Sequence, residues 1–248
     1  MAKDLFSEHA KLYAQFRPTY PQILFDYIIS FVKDKNTAWD CATGNGQAAM
    51  VLADYFQTVW ATDISEAQLS NAIRRDNIHY SVSSAEHTIF DDDTFDLITI
   101  AMAYHWLDPN AFFKEARRIG KNNCVVAAWT YTTLHTDDEE LDELYQHFYT
   151  NITQPYWEAE RRLIDEKYQT ITFDFSPLPE PPFETKMLWS REQFLGYLST
   201  WSAVQKYTKI NGTSPLDLIQ EKINALWPYN EIKEIVFPLS LRLGRIVK

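Results

Sequence analysis

Two acidic residues and two glycines in a short span raise the first chemical question. Asp40 stands ahead of Gly44 and Gly46 in AWDCATGNGQAA (38–49), and Asp63 ends a second apolar run, TVWATD (58–63). The chain has six glycines in 248 residues, so a pair one residue apart marks a special backbone shape. Glycine allows a tight turn and lets a ligand lie against the main chain where a Cβ would block it. A phosphate-cradling loop would need Lys and then Ser or Thr after the second glycine, and Gln47-Ala48 stand there instead. A dinucleotide loop G-x-G-x-x-G would place its third glycine at Ala49, which is a weak match. Asp40 would also set negative charge where a pyrophosphate must lie. A carboxylate there suits a positively charged ligand, and Asp63 can accept from both hydroxyls of a ribose. The set fits a ligand that is cationic, ribose-bearing and free of phosphate. S-adenosylmethionine has that description.

Positioning these residues takes alternating strands and helices. Tyr20-Pro21 opens a helix with Ile23, Leu24, Tyr27, Ile28, Phe31 and Val32 expected on one face. TAWDCAT is a strand, followed by a helix from about Gln47 with Val51, Leu52, Tyr55 and Phe56 as its buried stripe. TVWATDI is a second strand, and Ser65 with Gln68 fits a capping box opening the next helix. IHYSVSS is a third strand and FDLITIAMAYHW a fourth, with His105 at its end. Asp108-Pro109 starts a helix that Gly120 closes, and NCVVAAWTYT is a fifth strand. Near-continuous apolar strands between helices predict a parallel sheet covered on both faces. Residues 134–182 break the pattern with acidic, aromatic and proline-rich sequence and read as an inserted helical lid. Alternation returns with FETKMLW, a helix from about Ser190 to Val204, another after Pro215, and a final strand in IVFPLSLRLGRIV. The expectation is one α/β domain over residues 1–248.

Composition narrows the partners. The formal charge is −11 with no basic block, which argues against nucleic acid or an anionic membrane surface. No apolar stretch is long enough to span a bilayer, and the N-terminus has no signal-peptide core, so the expected location is cytoplasmic. Asn151-Ile-Thr153 and Asn211-Gly-Thr213 are then chance matches to a glycosylation pattern. Cys41 and Cys124 read as reduced core residues, and the acidic run 91–93 reads as a solvated turn; no metal site is expected.

DCATGNGQAA, VWATDISEAQL, SAEH and FDLITIAMAYHWLD resemble, in order and spacing, the motifs of class I S-adenosylmethionine-dependent methyltransferases. The resemblance extends to the branch around trans-aconitate methyltransferase, through Tyr13-Ala-Gln-Phe-Arg17-Pro-Thr-Tyr20-Pro21 and His105-Trp106-Leu107-Asp108. It covers residues 5–130 well and says little about 134–182. It implies a Rossmann-like fold with a seven-stranded, mostly parallel sheet whose last strand is antiparallel. It also implies S-adenosylmethionine as cofactor, with contacts from Asp40, Ala42, Gly44, Gly46, Asp63, Ile64, Ser84, Ala85, Glu86, Ala101 and Met102. Most members carry glycine where this chain has Ala42.

The acceptor side is expected to draw on Tyr13, Arg17, Tyr20, His105, Trp106 and Tyr131. Arg17 could clamp a carboxylate with paired hydrogen bonds, either the acceptor's or that of the cofactor's own methionine end, or equally order the N-terminal segment. His105 could serve as base for a hydroxyl or amine, or be held at the wall of the site by backbone. A carboxylate acceptor needs no base. The leading expectation is O-methylation of a small carboxylic acid. Methylation of another metabolite or a carrier-bound acyl group stands beside it, as does a cofactor-binding protein without turnover.

Overall fold

A computed structural model of the chain describes residues 16–248, so Tyr13 lies outside the described residues. After Pro21 the chain forms α1 (Gln22–Ser30), then β1 (Thr37–Cys41), α2 (Gln47–Leu52), β2 (Thr58–Asp63), α3 (Glu66–Ser70) and β3 (Ile78–Val82). These are followed by β4 (Phe95–Ala101), α4 (Pro109–Ile119) and β5 (Gly120–Tyr131). The less regular part holds α5 (Glu139–His147), α6 (Arg161–Asp165) and the short β6 (Ser176–Pro177). The chain ends with β7 (Phe183–Ser190), α7 (Arg191–Ser199), α8 (Ser202–Asn211), α9 (Gln220–Leu226) and β8 (Ile232–Arg245).

The sheet runs β3-β2-β1-β4-β5-β8, and β6 and β7 both pair antiparallel with different stretches of β8. These two share one position, so the described strands make a Rossmann-like sheet seven positions wide. The pairs among β1 to β5 are parallel, whereas β8 runs antiparallel to β5, as expected for the last strand. Strand order reverses between β1 and β4, which opens a crevice at their carboxyl ends.

Burial on both faces follows the period of two. Along β5, Val125, Ala127, Trp129 and Tyr131 enter one core cluster, while Cys124, Val126 and Ala128 enter the other. Cys41 and Cys124 are buried free thiols, as read from the sequence. Trp129 receives Tyr20 and Phe25 edge-on, with ring centroids at 5.4 and 5.7 Å. That contact docks the N-terminal segment and α1 on the sheet.

Four sequence expectations shift. The buried stripe of α1 is Leu24, Phe25, Ile28 and Ile29, while Ile23 is 63% exposed, because the helix turns its Trp129-facing side inward. Helix α2 stops at Leu52, which leaves Tyr55 and Phe56 in the connection to β2. β4 ends at Ala101, where Met102 takes a left-handed φ of 57°, and residues 104–106 form a 3-10 turn. His105 is therefore on that turn and not on the strand. The helix expected over 190–204 is two, α7 and α8, separated at Thr200-Trp201 where the Trp201 backbone is extended.

The amino ends of the central strands are tied by one buried carboxylate. Asp96 Oδ2 accepts from the Asn36 and Thr37 N–H groups at 3.1 and 3.0 Å, and Lys121 Nζ lies 2.7 Å from Oδ1. Asp96→Ala strands two backbone donors and an ammonium; we expect it to lower the unfolding free energy by about 2–4 kcal/mol in urea titration.

Candidate active site

The β1–α2 loop builds the floor of the crevice. Ala42, Gly44 and Gly46 all have left-handed backbone, with φ of 53°, 58° and 85°. Thr43 N–H donates to Thr62 O at 2.9 Å, anchoring the loop to β2. A Cβ on Gly44 would meet nothing within 4 Å. A Cβ on Gly46 would collide with the Tyr80 hydroxyl. The two glycines thus serve different purposes: Gly44 lines the open cleft, and Gly46 packs beneath Tyr80 outside it.

Asp63 faces the cleft from the end of β2. Its Oδ2 accepts from Gly44 N–H at 2.9 Å and its Oδ1 from Ser65 N–H at 2.8 Å, which fixes the carboxylate plane. Asp40 does not reach the cleft. It is fully buried, with Oδ2 accepting from Thr43 Oγ1 and from Ala49 N–H at 3.1 Å, and Oδ1 from Thr99 Oγ1 at 2.8 Å. The contact with a ligand expected of Asp40 is corrected: the side chain orders the loop, and only its charge acts on the site. Burial pushes its carboxyl up to about 6 against the lowering effect of those donors.

Ile64, Ala85, Glu86, Ala101, Met102, Trp106, Arg17, Tyr20 and Tyr131 line the same cleft, which encloses about 1120 Å³ with its open mouth included. Ser84 does not line it; its hydroxyl turns to Glu86, and Ser83 takes the place at the wall. Arg17 Nη1 donates to Tyr131 Oη at 2.7 Å, which holds the arginine over the end of β5. Met102 sits where Thr130 Oγ1 and Tyr131 N–H lie 3.2 and 3.1 Å from its Sδ.

His105 lines a smaller adjoining cavity, which shares Arg17, Met102 and Trp106 with the first. Its Nδ1 is 2.8 Å from Tyr168 Oη. Burial, helped by the Arg161 charge, pushes its imidazolium down to about 3, so the ring is neutral at physiological pH. The sequence reading missed Gln47 and Ser65 at the starts of α2 and α3, for which position after a glycine loop or a strand-end acid was the available signal. It also missed Trp157 and Arg161, which no local motif marks.

Several relatives bear on what this crevice holds. The methyltransferase-domain family matches residues 39–128, the segment from β1 to β5. A protein of Dictyostelium discoideum named as a candidate methyltransferase is 32% identical over 249 residues, covering 98% of this chain and 95% of its own. The chain belongs to the methyltransferase family. The solved structure of a candidate type II methyltransferase from Anaeromyxobacter dehalogenans superposes with a TM-score of 0.87 at 35% identity, covering 94% of this chain and 99% of that one. A candidate methyltransferase from Bacillus halodurans, 17% identical with a TM-score of 0.52 over 90% of this chain and 98% of that one, shares the fold.

This methyltransferase uses S-adenosylmethionine, and the cleft fits that cofactor. Gly44 leaves open space where any other residue would project a Cβ, and Asp63 offers an oriented carboxylate beside it. Gln47 Oε1 at the wall is buried with no hydrogen-bond partner among the described residues, an acceptor suited to an ammonium. Asp40, Asp63 and Glu86 make this end of the cleft negative, which favours a sulfonium.

Two outcomes follow from the loop. Ala42 holds a conformation that costs an L-residue about 1–2 kcal/mol, partly offset by glycine's greater unfolded-state entropy. Ala42→Gly should therefore raise thermal stability by up to about 1 kcal/mol. Asp40 has a folded pKa of about 6 against an ordinary 3.8, so its contribution to stability is full below about 4 and is lost as pH rises through 6. Asp40→Asn keeps the shape without the titration. Without cofactor, the wild type should lose about 3 kcal/mol relative to this variant between about pH 4 and pH 7, measured by denaturant unfolding.

Proposed function

We propose that the chain O-methylates a small carboxylic acid. The observation that carries this reading is the pairing of Arg17, at the junction of the two cavities, with a His105 whose imidazolium burial pushes down to about 3. A base that holds its proton so weakly is poorly matched to deprotonating a hydroxyl or an ammonium near neutral pH. A carboxylate arrives as a nucleophile with its charge in place, and a guanidinium is the group to orient it. The resemblance of Arg17-Pro-Thr-Tyr20-Pro21 and His105-Trp-Leu-Asp108 to the trans-aconitate methyltransferase branch supports the same acceptor chemistry.

Bound S-adenosylmethionine supplies a methyl group already activated on a sulfonium. The protein is left with holding, aligning and drying the site. In this reading Asp63 takes the ribose hydroxyls, and Ile64 and Ala85 flank the adenine. Met102, with its strained backbone, and Tyr131 with Arg17 mark the boundary between cofactor and acceptor. His105 stays neutral and, with Tyr168, shapes the acceptor wall. Part of the expected lid belongs to the core: Leu141, Leu144, Tyr145 and Phe148 pack into the main cluster. The covering role over the acceptor falls to residues 154–168, which supply Trp157, Glu158, Arg161 and Ile164 to the smaller cavity.

The test is calorimetric and chemical. S-adenosylhomocysteine should bind the wild type, and Asp63→Ala should weaken it by about 2–3 kcal/mol through loss of charge-assisted hydrogen bonds. Screening small carboxylic acids with the labelled cofactor should yield base-labile methyl esters. Arg17→Ala should cut kcat/KM on the accepted acid about 100-fold or more, whereas His105→Gln should cost about tenfold at most. A methylated amine or hydroxyl with a large His105 effect would instead assign that residue as the base.

A further inference from the structure

The smaller cavity beside Met102 and Trp106 collects three hydrogen-bond donors from two parts of the chain, residues 157–161 and the start of α8. Arg161 lies between two rings, its guanidinium carbon 4.7 Å from the Trp157 ring centre and 5.2 Å from that of Tyr149. Its Nε donates to Tyr149 Oη at 2.9 Å and is 3.5 Å from Asp165 Oδ1. Among the described residues its two terminal nitrogens make no hydrogen bond, although the residue lines the cavity. Trp157 Nε1 at the same wall is buried and has no partner among the described residues. The third contribution is α8, whose first residue, Ser202, lines the cavity and whose N-cap, Trp201, provides no side-chain cap.

These donors have one kind of ligand in common. A fork of guanidinium N–H groups, an indole N–H and the open first turn of a ten-residue helix all favour an oxyanion. The ring stack around Arg161 fixes the fork without using it, so its orientation is set before any ligand arrives. Nearby acids do not cancel the field: Glu158 at the wall lies 3.2 Å from Lys206 Nζ, and Asp165 is 42% exposed and receives the Tyr149 hydroxyl. The cavity measures about 480 Å³ with its open mouth included. Glu158 at the wall weighs against a doubly charged phosphate. A planar, singly charged carboxylate fits best.

We propose that Arg161, Trp157 Nε1 and the start of α8 form an anchor for a carboxylate of the methyl acceptor. This deepens the acceptor class named above and rests on that reading. The anchor binds the acceptor and sets which acids are taken; it lines the smaller cavity, whereas Asp63 lines the larger.

The test uses the full chain saturated with S-adenosylhomocysteine and titrated with succinate, with chloride holding ionic strength constant. The readout is the Trp157 indole N–H resonance, assigned by its loss in Trp157→Phe. Succinate should shift that resonance saturably. Arg161→Gln should weaken succinate binding about tenfold, and Arg161→Lys should recover part of the loss, since charge returns without the fork. Affinity for S-adenosylhomocysteine should stay within about twofold in both variants, the size of an indirect effect. If Arg161→Gln disturbs the 154–168 segment, Trp157→Phe keeps the ring and removes one donor, and calorimetry should show succinate weakened about threefold to tenfold. Succinate binding unchanged in Arg161→Gln, no shift with succinate, or preference for inorganic phosphate would each overturn the anchor. A parallel loss of S-adenosylhomocysteine affinity would overturn it too, by giving the cavity to the cofactor's own carboxylate. Anchoring with no ester formed from any acid leaves the anchor standing and removes the O-methylation reading. Ester formation with a KM indifferent to Arg161→Gln does the reverse.

Discussion

At the carboxyl end of β1 a carboxylate with no access to water accepts hydrogen bonds from the loop that follows it, from α2 and from β4. Asp40 is expensive to bury as an anion, and burial raises its pKa to about 6. What it secures is the shape of the whole crevice floor. Thr43, Ala49 and Thr99 converge on its two oxygens, so the loop carrying Ala42, Gly44 and Gly46 has one arrangement available. From that arrangement Gly44 N–H points to Asp63, and Asp63 is fixed in turn by Ser65 N–H. The chain of bonds links strand order reversal to a carboxylate oriented toward the cleft.

The two adjoining cavities differ in polarity. Carboxylates of Asp63 and Glu86 line the larger one, with Asp40 buried beneath its floor, a field that favours a sulfonium. The Arg161 guanidinium lines the smaller one and that of Arg17 lines both, in a protein whose formal charge is −11. Local donors set against the net charge are a sign of a site built for an anion, because long-range attraction from the rest of the molecule is absent. Met102 and Trp106 stand between the two fields.

Backbone strain gathers near the same boundary. Ala42 and Met102 have positive φ at the cleft, and Lys167 and Tyr168, at 56° and 58°, end the segment that places the Tyr168 hydroxyl against His105. Such conformations cost of order 1 kcal/mol or more each for residues with a side chain. They persist here where neighbouring bonds hold them: Met102 N–H donates to Trp129 O at 2.8 Å and Tyr168 N–H to Leu163 O at 2.8 Å.

The sequence by itself determined the sheet, its covered faces and the glycine loop, because these rest on local rules: periodicity, capping and the φ that glycine allows. Asp63 was legible for the same reason, being an acid at the end of an apolar run. Tertiary structure decided what the periodicities leave open. Asp40 and Asp63 look alike in sequence as strand-end acids, yet three donors drawn from β4, the loop and α2 bury one and leave the other facing the cleft. Gly44 and Gly46 look alike too, and only the distant Tyr80 separates them. His105 is removed from its strand by a single left-handed residue, Met102; its charge state is set first by burial and then by Arg161, and Tyr168 holds its Nδ1, both residues lying far along the chain. Arg161 and Trp157 were illegible because they carry no motif; their chemistry arises when an irregular segment folds against the 3-10 turn and the start of α8. Contacts between residues remote in sequence depend on packing, and packing is the part that no local pattern encodes.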